Sequence, residues 1–155
     1  MRFDVTDDQR LARDVTRNFL AAEHPPASVR AALESPTGFD AALWKKAAAL
    51  GWTSLLVPEE QGGASLSASP VVDLTVLAAE IGRAVAPGPF LETNLLIDAL
   101  TRSDNHALRQ RHLPGLLEGA LVGSWLTPTV GVQSHPHDDG GVTLHGKAVV
   151  AMPSP

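Results

Sequence analysis

Apolar positions recur at helical rather than strand spacing along most of this chain. Thr6 is followed three residues on by Gln9, the spacing of a capping box, in which the hydroxyl takes the N–H of residue 9 and the amide reaches back to residue 6. Asp7 and Asp8 then fall in the first turn, where the helix dipole favours negative charge. Leu11, Val15, Phe19 and Ala22 share one face at this spacing and are the expected buried stripe. Pro25 and Pro26 stop the helix by about His24, and a short helix is expected from Ser28, as its cap, to Glu34.

Asp40 is placed to cap the next helix, with Leu43, Trp44, Ala47 and Leu50 as its stripe and Gly51 as its stop. Beyond it, Trp52 to Val57 is apolar, whereas Pro58-Glu-Glu-Gln-Gly-Gly63 reads as a turn-rich loop. A longer helix is predicted from about Pro70, which suits a first turn, to Val85, burying Leu74, Leu77, Ile81 and Val85. The run Ala86-Pro-Gly-Pro89 breaks the chain. Helices follow over about Phe90 to Thr101 and Asn105 to Glu118, the second capped by Asp104 and kinked or cut short at Pro114.

After Gly119 the period changes. Leu121 to Leu126, Val130 to Gln133 and Val142 to Val150 are predicted strands, with Asp139-Gly140-Gly141 as a hairpin turn. The expected division is therefore a helical domain over 1–119 and a β-segment over 120–155. Three strands leave open edges and an apolar face that must pack on something, so the rest of a β-domain is expected to come from elsewhere.

Composition narrows the function classes. Of 155 residues 44% are hydrophobic and 19% charged, the balance of a folded domain, and scarce aromatics with abundant Ala and Leu favour helix. The net charge of -5, with no run of Lys or Arg, argues against a nucleic-acid partner. The absence of cysteine excludes disulfides and thiolate chemistry and is compatible with a cytoplasmic setting, the expected localisation. No segment has the roughly 20 apolar residues of a membrane span. Among candidate chemistries, His135-Pro-His137-Asp138-Asp139 has metal-ligand residue types but no recognised spacing, and is read as a solvated loop with no metal site. Ser54 lacks the glycines of a nucleophile elbow, Gly62-Gly63 lacks the lysine of a phosphate loop, and the adjacent Glu59 and Glu60 read as water-facing. No catalytic residue is assigned.

Several phrases, in order, resemble the N-terminal region of the acyl-CoA dehydrogenases. They are Phe3 with Thr6-Asp-Asp-Gln-Arg-Leu11, Gly38-Phe-Asp40 with Leu43-Trp-Lys45, and Leu50-Gly-Trp52. Then come Leu56-Val-Pro-Glu-Glu-Gln-Gly-Gly63, Glu80-Ile-Gly-Arg83 with Pro87-Gly-Pro-Phe90, Arg111-His-Leu-Pro114 and Gly119-Ala-Leu-Val-Gly123. The resemblance implies a mainly α fold: an orthogonal helical bundle followed by a few β-strands of an incomplete β-barrel domain. It also implies FAD, an acyl-CoA thioester substrate dehydrogenated at its α and β carbons, electron-transfer flavoprotein as acceptor, and a homo- or hetro-oligomer of dehydrogenase subunits.

By the same resemblance, Leu126 and Thr127 are candidate cofactor-binding residues, and Phe90, Thr93 and Asn94 candidate lining of the acyl pocket. The family usually has Leu-Thr-Glu-Pro and then Gly-x-Gly-Ser-Asp near the flavin, where this chain reads Leu126-Thr-Pro-Thr-Val-Gly-Val-Gln-Ser134. Gly141-Val-Thr-Leu-His-Gly-Lys147 resembles the family's later strand. The C-terminal bundle and its catalytic carboxylate are missing from the match, so FAD binding by the isolated chain is expected to be weak or absent. The alternative expectation is a non-catalytic partner subunit or interaction module that completes another dehydrogenase chain.

Overall fold

Caps and prolines set the helix boundaries. The computed structural model describes residues 5–124 and 126–150, without the side chains of 126–130 and 148–150; Phe3, invoked above, lies outside the described residues. Helix α1 (Asp7–Glu23) opens on the expected capping box: Gln9 N–H donates to Thr6 Oγ1 at 3.2 Å, and Thr6 N–H donates to Gln9 Oε1 at 2.9 Å. Helix α2 (Pro26–Glu34) starts two residues before Ser28, because Pro26 at the first helical position needs no N–H partner. Helix α3 (Ala41–Ala49) is capped by Asp40, whose Oδ1 accepts from Ala42 and Leu43, and Gly51 then takes a φ of 90°.

A single 3-10 turn, Glu59–Gln61, stands in the Val57–Gly63 loop. Helix α4 (Pro70–Arg83) ends before Val85, which has a left-handed φ of 50° and is exposed rather than buried. Helix α5 (Phe90–Arg102) follows the Pro-Gly-Pro break. Helix α6 (His106–Leu117) is capped by Asn105, which accepts from Leu108 N–H, and not by Asp104. Nor does α6 finish early at Pro114; it continues to Leu117.

Among the described residues the expected three strands are two. Residues 121–124 form no strand, since their donors turn back to the helices: Leu121 N–H donates to Gly115 O, and Gly123 N–H to Thr93 Oγ1. Strand β1 (Leu126–Pro136) and strand β2 (Val142–Val150) pair antiparallel across a turn at 138–140, with register shifts between Pro128 and Val130 and between Val130 and Gln133. The described fold is thus mainly helical with an open two-stranded sheet at its end.

The main core gathers Leu20, Trp44, Ala47, Trp52, Leu55, Leu74, Leu77 and Phe90, and a second cluster joins Val57, Ile97, Leu100, Leu113 and Leu116. Helix α1 packs on α4, and α5 on α6. The expected stripe of α1 is displaced. Leu11 and Val15 are exposed, while Gln9, Thr16 and Leu20 are buried. The reason is polar: Gln9 Nε2 donates to Asp73 Oδ1 at 2.7 Å, and Arg17 forms a two-bond fork with Glu80, so both of these α1–α4 contacts need the polar face turned inward.

Candidate functional site

Helix α5 and the chain entering β1 are where the candidate residues meet. Phe90, at the first position of α5, is 6% exposed and packs edge-to-face on Trp52, with ring centroids 5.7 Å apart; Trp52 packs in the same way on Phe19 at 5.9 Å. Such aromatic pairs add about 1 kcal/mol each beyond their burial. One turn on, Asn94 is fully buried and its Nδ2 donates to Trp52 O at 3.1 Å and Phe90 O at 2.8 Å. This clamps the loop after α3 onto α5. Thr93, also fully buried, accepts the Gly123 N–H at 3.5 Å, three residues before β1. A Cβ on Gly123 would overlap the end of the Leu96 side chain, which would have to shift to admit it.

All three candidate lining residues therefore sit in the helical core. Of the three, only Phe90 borders a cavity, one of about 20 Å³ shared with Trp44, Trp52 and Pro87, room for a water and no more. Of the residues that line it, Trp44 and Trp52 each keep a buried Nε1 without a partner among the described residues, and Asn94 Oδ1, outside that lining, is likewise buried and unpartnered. A larger groove of about 370 Å³ lies elsewhere, between the exposed Leu11 and Val15 of α1 and Leu50, Leu55, Leu66 and Leu77. It shares no lining residue with the α5 candidates.

Of the cofactor candidates, Leu126 pairs with Val150 and Thr127 with Val149 at the open end of the hairpin, and their side chains are outside the described residues. FAD carries a charged pyrophosphate that needs cations or clustered N–H donors. The hairpin sequence 126–150 has Lys147 as its single lysine and no arginine, and residues 131–147 are exposed almost throughout. These residues do not by themselves fit a dinucleotide pocket.

Two buried carboxylates were not foreseen as a pair of structural anchors. Asp73 accepts from Gln9, both Ser67 donors, Ser65 and Leu66 N–H, five bonds in all. Burial pushes its pKa up, but the bonds from Gln9, Ser67, Leu66 and Ser65 together outweigh it and hold it low. Glu80 bonds Arg17 at 2.7 and 3.0 Å and Arg83 at 2.8 Å. The Arg17 hydrogen bonds lead in bringing its pKa down to about 2, against the opposing cost of burial. Carboxylates so stabilised as anions are poor proton acceptors. Both anchor α1 to α4. The signal for them was an acidic residue at helical spacing within an apolar stripe. Glu59 and Glu60 are exposed, as the loop reading expected. His24 is buried at the end of α1, with Nε2 unpartnered among the described residues.

With this layout in hand, comparison with known proteins is decisive. The family model of the acyl-CoA dehydrogenase N-terminal domain matches residues 6–120. The chain belongs to the acyl-CoA dehydrogenase family. Acyl-CoA dehydrogenase IpdE2 of Mycobacterium tuberculosis is 32% identical over 122 residues, covering 76% of this chain and 36% of that protein. Among solved structures, a variant of the Tcur3481–Tcur3483 steroid ACAD superposes with a TM-score of 0.78 at 27% identity, over 93% of this chain and 41% of that one. The ChsE4–ChsE5 complex from Mycobacterium tuberculosis gives the same TM-score at 24% identity, over 94% and 40%, and speaks to the fold. The chain thus spans little more than a third of the length of the curated acyl-CoA dehydrogenase it matches.

Proposed function

We propose that residues 1–119 and 120–155 are the N-terminal helical domain and the beginning of the middle β-domain of an FAD-dependent acyl-CoA dehydrogenase, completed by further polypeptide. The reaction is α,β-dehydrogenation of an acyl-CoA thioester, with electrons passed to an electron-transfer flavoprotein, in the cytoplasm. No helix among the described residues is long and apolar enough to cross a membrane. The observation that carries this reading is that the six helices and the hairpin together follow an acyl-CoA dehydrogenase over 93% of the chain. Leu126 and Thr127 offer contacts to the flavin. Phe90, Thr93 and Asn94 act from the second layer, by fixing the α5 wall against which the acyl group packs. The steroid ACAD likeness makes bulky polycyclic acyl-CoA thioesters the first substrate class to try.

A second reading is supported by the two-component names of two of the solved neighbours. In it the chain is a non-catalytic subunit that completes a partner dehydrogenase in a hetero-oligomer.

The test is a visible spectrum of the purified chain, and of any complex isolated with it, before and after an acyl-CoA is added. The chain alone is expected to be colourless and the complex yellow, bleaching with substrate. A chain that retains stoichiometric FAD alone overturns the incomplete site. Within an active complex, Phe90→Ala shifts acyl preference if α5 forms a pocket wall and leaves it unchanged if the chain is only a scaffold.

A further inference from the structure

The hairpin's exposed face carries a feature that the dehydrogenase reading leaves unused. Gln133 pairs with His145 and His135 with Thr143, so all four residues lie on one face of the sheet. His135 and His145 are diagonal neighbours across the strands, both exposed, with ring centroids 5.6 Å apart and planes inclined at 72°. His137, just past the end of β1, bonds Thr143 through its Nε2. The sequence places His135 beside His137, but only the register brings His145 to it.

We propose that His135 and His145 form a two-imidazole site for a divalent transition-metal cation. The separation suits it. A ligated metal stands about 2.0 Å from its imidazole nitrogen, hence about 3.2 Å from the ring centroid, so a tetrahedral angle puts two centroids roughly 5.2 Å apart. The observed spacing is within half an ångström of that value. Antiparallel pairing fixes both Cβ positions, so a rotation of the side chains brings one nitrogen of each ring to a shared point with the backbone unmoved. No group of three or more ligating side chains is preassembled among the described residues, so the remaining positions of the ion belong to water.

Imidazole selects for class. Zinc, nickel and copper(II) accept it readily, with copper(II) tightest, whereas magnesium and calcium demand oxygen ligands. The second imidazole adds its strength as an intramolecular ligand, at an effective concentration set by the sheet.

The test is calorimetric titration of the untagged 155-residue chain with zinc chloride, alongside His135→Gln, His145→Gln and, as control, His112→Gln on α6. One zinc per chain is expected, weakened about tenfold or more by either hairpin variant and unchanged by the control. The His135 and His145 imidazole proton resonances of the parent chain shift together on zinc addition, which excludes misfolding of a variant as the cause. Magnesium gives no binding. Zinc affinity unaffected by both hairpin substitutions, shifts at only one of the two rings, or no saturation below about 1 mM zinc overturns the proposal.

Discussion

Gly62 and Gly63 are adjacent in the most specific loop of the chain, yet alanine at each will act through a different physical cause. Gly62 sits at φ 90° with nothing within 4 Å of where a Cβ would stand. Gly62→Ala therefore meets only the left-handed backbone penalty, about 1 kcal/mol. At Gly63 a Cβ would overlap the carbonyl of Val57 and come within 2.9 Å of Pro58 O. No rotamer relieves this, because the obstacle is backbone. The carbonyl has to move, and it belongs to Val57, which is 2% exposed in the cluster with Ile97, Leu100, Leu113 and Leu116. Overpacking of this kind costs about 1–3 kcal/mol. Loss of the Gly63 N–H bond to Pro58 O, 3.0 Å long, adds about 1 kcal/mol. The total for Gly63→Ala is then about 3 kcal/mol. Urea unfolding followed by tryptophan fluorescence resolves the two, with Trp52 in the main core as a reporter. With m about 2 kcal/mol/M, the midpoint falls by roughly 1.5 M for Gly63→Ala and roughly 0.5 M for Gly62→Ala. Equal shifts for the two, or a Gly63→Ala midpoint at the parent value, would refute the steric argument.

Asp73→Asn keeps the shape but replaces one acceptor oxygen with a donor; it should lose about 1–2 kcal/mol, and hydrogen exchange at the Leu66 and Ser67 amides should accelerate. Unchanged protection there means the carboxylate does not hold the loop. Glu80 has its pKa depressed from 4.5 to about 2 in the folded state, so its contribution is present above 4.5 and lost as pH falls towards 2. Across that window the parent chain should lose stability more steeply than Glu80→Gln, and parallel pH curves would contradict the ion-pair assignment. Val85 occupies a left-handed φ of 50°, which a β-branched residue resists. Val85→Asn should raise stability by about 1 kcal/mol in thermal unfolding, and a lower Tm would show that Val85 contributes packing that outweighs its strain.

Local chemistry was read from the sequence with little error. The Thr6–Gln9 box, the Asp40 cap and Pro70 in a first turn all depend on neighbours a few residues away, and the hairpin turn expected at 139–141 lies one residue earlier, at 138–140. Two caps failed locally, Ser28 giving way to an earlier start at Pro26 and Asp104 to Asn105, while the larger failures depended on distance. Leu11 and Val15 look like the inward face of α1 until Asp73 and Glu80, more than 60 residues on, draw Gln9 and Arg17 towards α4. Leu121 to Leu126 look like a strand until Gly115 claims the Leu121 N–H and Thr93 the Gly123 N–H, which leaves 121–124 outside it. Phe90, Thr93 and Asn94 entered only through the family resemblance, as pocket lining; that they are buried in the helical core, and that Asn94 clamps Trp52, required the fold. The hairpin histidines show the same limit, since His145 reaches His135 only through strand register.

The two register shifts in β1 have a bearing on how this protein survives at high concentration. A long, regular, two-stranded hairpin presents rows of free backbone groups, the template from which fibrils grow. Here Pro128 and Pro136 withhold N–H donors from β1, and irregularities on either side of Val130 bend the strand between them. A second copy of the hairpin, laid edge to edge, would find donors and acceptors out of step within a few residues. The same kinks that end regular pairing inside one molecule thus deny neighbouring molecules a straight edge to copy.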